Sequence, residues 1–101
     1  MFELTFDISV VSFLYPLSIG ACEYTVGNET AKYLKVFDIL ETEHISFAAL
    51  TASILQLFSP YFQDVFLPNL KYVALTAEAT NADMVKKLSK SAPNALFVNL
   101  Y

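Results

Sequence analysis

The chain has no tryptophan, and all six of its basic residues are lysine. Arginine is the residue suited to bidentate capture of phosphate or carboxylate, so its absence weakens a nucleotide-site reading. Two glycines leave too little for a glycine-rich phosphate loop. With four prolines, they also exclude a collagen-like, linker or low-complexity chain. The single cysteine, Cys22, rules out an internal disulfide framework. One histidine, His44, and scattered carboxylates offer no zinc-ligand spacing, so no metal and no cofactor are expected. Charge is scarce as well, at 16% of residues against about 25% in ordinary soluble domains.

What fills the 101 residues is apolar. Hydrophobic residues make up 55%, and the mean hydropathy is +0.48. A chain with so much to bury is not intrinsically disordered, and its length suits one domain spanning residues 1–101. The net charge of −4 excludes the basic stripe that a nucleic-acid partner requires, since only Lys86, Lys87 and Lys90 cluster.

Residues Ile8 to Cys22 carry no charge, and the apolar character continues to about residue 25. This stretch, 8–25, approaches the ~17–25 residues that cross a bilayer and is a candidate span. Pro16 and Gly20 interrupt it, which membrane helices tolerate where neighbours satisfy the freed backbone groups. Gly27-Asn28 then punctuates the chain. Asn28-Glu29-Thr30 is a formal glycosylation sequon, but its position at a helix start makes Asn28 an N-cap.

From Glu29 the spacing is helical, with Tyr33, Val36, Phe37, Leu40 and His44 on one side. No breaker intervenes before Pro60, and Ile45 to Gln63 is uncharged. The pattern predicts one long helix over 29–59 containing a second candidate span. A C-terminal arm, 60–101, follows with short helices at 69–79 and from Thr80 or Asn81 to Ser91. Its tail is extended. No internal repeat is evident. The expected fold is therefore all-α: a small membrane protein built as a two-span helical hairpin.

The residues singled out fit that hairpin. Ser9, Ser12, Pro16 and Gly20 form a small-residue stripe, as do Ser46, Ala49 and Ser53. Such stripes allow close helix crossings in lipid, which marks Ser12, Gly20, Ala49 and Ser53 as helix-packing positions. Phe2 and Phe6 would lie level with Tyr61, Phe62 and Phe66, and Tyr24 at the opposite interface. The lysine distribution leans towards both termini inside. Ile19-Gly20-Ala21-Cys22 resembles a bacterial lipobox, but the start carries Glu3 and Asp7 and no positive charge. Cys22 is thus read as a small buried thiol.

His44, near Glu41 and Glu43, would sit at the membrane interface, hydrogen-bonded to a headgroup or a neighbour rather than serving as a relay. No carboxylate pair, nucleophile elbow or phosphate loop appears, so no catalysis is expected. Leu96, Phe97, Val98, Leu100 and Tyr101 form an apolar tail that would be costly to leave in water, and they are expected to dock on a partner.

Together these features predict a non-catalytic structural or accessory subunit of a multi-subunit membrane complex, with an energy-transducing membrane as one setting. Its partners would be other membrane subunits and the bilayer, with no small-molecule substrate. Two alternatives remain: an all-helical interaction module, soluble or peripheral, and a self-assembling hairpin such as a holin-like pore or filament subunit.

Overall fold

The computed structural model describes residues 10–26, 32–76 and 79–100. The chain divides into two compact units, Met1–Lys32 and Tyr33–Tyr101, each with its own organisation.

In the first unit a π-helical turn, Val10–Leu14, runs into the short helix α1, Tyr15–Ser18. Pro16 stands in the first turn of α1, where its missing N–H costs nothing. Gly20 ends the helix at φ +78°. Its N–H donates to the Leu17 carbonyl at 3.2 Å and the Ala21 N–H to the Pro16 carbonyl at 2.9 Å. This is the Schellman closure, which needs a left-handed residue at the position glycine occupies. Ala21 to Val26 is not helical. The first candidate span, 8–25, is therefore interrupted by its own cap. Among the described residues no helix is long and apolar enough to cross a membrane.

The second unit takes in helix α2, Lys32–Thr42, from its second residue, and goes on to strand β1, Phe47–Thr51, and helix α3, Ala52–Phe58. A 3-10 helix, Ser59–Asp64, leads to strand β2, Tyr72–Thr76. Helix α4, Ala82–Ser91, and strand β3, Leu96–Asn99, complete it. The sheet order is β1-β2-β3, and both pairings are parallel. This is a strand–helix–strand–helix–strand unit of the α/β class, which corrects the all-α expectation. The long helix over 29–59 does not form, because α2 stops at Thr42 and a strand occupies Phe47–Thr51. The helix expected over 69–79 is replaced by β2. The tail is the third strand of the sheet, not a detached arm.

Local chemistry accounts for the boundaries. His44 takes the left-handed conformation, φ +52°, and turns the chain out of α2. Its Nδ1 lies 2.9 Å from the Asn69 side-chain nitrogen, tying that turn to the loop before β2. Thr51 ends β1 and caps α3 at once, its hydroxyl accepting from the Ile54 N–H at 3.3 Å. The α-helix reaches only Phe58; Pro60 lies at the start of the 3-10 turn that succeeds it. Asn81 caps α4 by accepting from the Asp83 N–H at 2.8 Å, with Asp83 favourably placed against the helix dipole. The helix from Asn81 to Ser91 was legible in the sequence.

Two matched turns deliver β2 and β3. Leu67-Pro68-Asn69-Leu70 and Ala92-Pro93-Asn94-Ala95 each close with an N–H to carbonyl bond three residues back, at 3.4 and 3.2 Å. Proline presets the first central φ, and asparagine tolerates the second turn position. The Asn94 amide donates to the Pro68 carbonyl at 3.0 Å, linking one turn to the other.

Most of the core lies on one side of the sheet, with Ala74 and Thr76 of the central strand buried on the other. Ala48 and Leu50 of β1, with Val73 and Leu75 of β2, alternate along their strands and are buried. Parallel crossovers are nearly always right-handed, and two of one hand running in one direction place their helices on a single face. Leu55, Phe58, Phe62, Leu67, Leu70, Leu88 and Ala92, from those crossovers, are all buried. Helix α2 joins this layer through Phe37, whose ring lies 4.4 Å from Phe58 and 6.1 Å from Phe62, centroid to centroid. The Ser91 hydroxyl donates to the Phe62 carbonyl, fixing α4 to the 3-10 helix.

Candidate functional site at the carboxyl edge of the sheet

Open parallel sheets bind ligands beyond the carboxyl ends of their strands, where backbone groups and helix N-termini converge. Here that edge carries Thr51, Thr76 and the end of β3 at Asn99. Thr51 and Thr76 stand opposite one another in the register. The loop between Thr76 and Asn81 returns the chain to α4, with residues 77–78 outside the described part.

Thr76 is the unusual member. It is only 3% exposed, and among the described residues its hydroxyl has no hydrogen-bond partner. Leaving such a group buried and unpaired costs about 1–3 kcal/mol. Thr76→Val keeps the shape and removes the orphan hydroxyl. We expect it to raise unfolding free energy by about 1 kcal/mol in a urea titration. A loss of similar size would mean that the hydroxyl is paired in solution.

Behind the threonines, on the same face, the register builds two further rows. Ala49, Ala74 and Val98 form one of mostly small side chains; Phe47, Tyr72 and Leu96 form a bulky one nearer the amino edge. The bulky row is open, with Phe47 40%, Tyr72 52% and Leu96 60% exposed, and Val98 and Leu100 are exposed beyond it. Purely parallel sheets are covered on both faces in α/β proteins. The helices of this unit cover the Val73 side; on the other side Ala74 and Thr76 are buried, and the open part is the bulky row and the β3 edge.

Among the described residues, the strand ends at this edge carry neutral groups. Threonine hydroxyls and asparagine amides can position a polar group, but they supply no strong base. Among the described residues no group of three His, Cys, Asp or Glu could hold a metal ion.

The residues marked from sequence are dispersed. Ser12 lies in the π-helical turn. Gly20 is an exposed helix terminator, and a Cβ built on it would meet nothing within 4 Å. Its constraint is a positive φ, not a close crossing. Ala49 is in β1 and Ser53 in α3, so the second small-residue stripe is split between a strand and a helix. Cys22 is exposed, not buried. Of the five tail residues, Leu96 and Val98 share the open face, Phe97 turns towards the core side, Leu100 is exposed just past β3, and Tyr101 lies outside the described residues. The sequon at Asn28 and the aromatics Phe2 and Phe6 also lie outside them. Sequence reasoning missed Thr76, Tyr72 and Phe47. The repeated Pro-Asn turn before β2 and β3 is a sequence signal that points to a strand start at Tyr72, whereas Phe47 and Thr76 join it only through the register.

The fold thus defines a small parallel α/β unit with an apolar row open on one face. No known protein-family profile matches the chain. It is similar to a nonribosomal peptide synthetase, ecdA, of Aspergillus rugulosus, with 32% identity over 97 residues. The match covers 96% of this chain and 1% of that protein, so the chain spans a very small part of the length of its relative.

Proposed function

We propose that this chain is a sheet-forming segment of a larger α/β domain belonging to a multidomain peptide-assembling enzyme of the nonribosomal type. By itself it makes no bond. It supplies parallel strands and a carboxyl edge carrying Thr51 and Thr76, and a protein layer from the rest of such an enzyme covers its open row. The observation that carries this reading is the bulky apolar row Phe47, Tyr72 and Leu96 left open on an all-parallel sheet. The similarity of nearly the whole chain to a small part of a synthetase supports it.

This replaces the membrane-subunit expectation and the multi-pass membrane location that went with it, because no described helix can span. Of the earlier alternatives, the interaction module that buries apolar surface against a partner is the better supported. Its architecture is α/β, not all-helical.

The reading is tested on the full chain alone. With its second layer missing, the chain should bind an apolar dye and associate as concentration rises. The triple substitution Phe47→Ser, Tyr72→Ser and Leu96→Ser should reduce both by several-fold in fluorescence and sedimentation. A monomer that binds no dye at any concentration would overturn the reading.

A further inference from the structure

We draw no further inference here: the strongest candidate, the unpartnered Thr76 hydroxyl at the carboxyl end of the central strand, belongs to the site already described, and the exposed Lys86, Lys87 and Lys90 face of α4 has nothing in the structure that says what covers it.

Discussion

Val73→Asp should abolish cooperative unfolding of the chain, while Tyr72→Asp, one residue earlier, should leave it almost intact. The two positions are neighbours in β2 but point to opposite faces. Val73 is fully buried on the helix-covered side, and Tyr72 is half exposed on the open side. A carboxylate at position 73 has no partner to satisfy it. Burying or expelling it should cost more than about 4 kcal/mol, against a total stability on the order of 5–15 kcal/mol. The change at position 72 exchanges an open phenol for a solvated acid and should fall within about 1 kcal/mol. Urea titrations followed by far-ultraviolet circular dichroism measure both. Equal losses at the two positions would mean that the strand does not present two distinct faces.

The second large effect concerns the aromatic contact that holds α2. Phe58→Ala removes a buried ring lying 4.4 Å from that of Phe37, and should cost about 3–5 kcal/mol. Leu57→Ala, at an exposed position beside it, should cost no more than about 0.5 kcal/mol. Because Phe37, Val36 and Leu40 form the buried stripe of α2, hydrogen exchange over that helix should accelerate in Phe58→Ala before it does in β2. Unchanged exchange across α2 would show that the helix is held by something other than this cluster.

Much of the local structure was readable from sequence and much of the architecture was not. The apolar face of α2, with Val36, Phe37 and Leu40, follows helical spacing and is buried. The start of α4 follows from Asn81 and Asp83. The failure came at Phe47–Thr51. A strand buried in a parallel sheet reads as a continuous apolar run, and periodicity cannot separate it from a buried helix. Ala48, Ala49 and Leu50 are good helix formers, yet pairing with β2 overrides that preference. The uncharged run over 45–63 is thus a strand, a helix and a 3-10 turn in succession. The high hydropathy that suggested lipid is consistent with strands of this kind together with an open face.

The β-branched and aromatic residues of Tyr72, Val73 and Thr76 carried a strand signal of their own. The same stretch also has a helical spacing through Leu70, Val73, Ala74 and Ala77, and that spacing gave the helix expected over 69–79. The carboxyl edge was not legible, because Thr51 and Thr76 lie 25 positions apart in the chain and meet only through the register. No spacing rule for catalytic or metal residues reaches a pair of neutral hydroxyls brought together by strand pairing.

The central claim is that the open face of the sheet is covered by further protein in a synthetase. Thiol accessibility at one position on each face tests it most directly. In a Cys22→Ser background, Tyr72→Cys and Val73→Cys are each made in the chain alone and in a synthetase whose matching segment is replaced by this chain. Val73→Cys should resist a maleimide in both settings, which verifies that each protein is folded. Tyr72→Cys should react freely in the chain alone and at least about tenfold more slowly within the synthetase, as a buried thiol does. Equal, rapid reaction of Tyr72→Cys in both folded proteins would contradict the account.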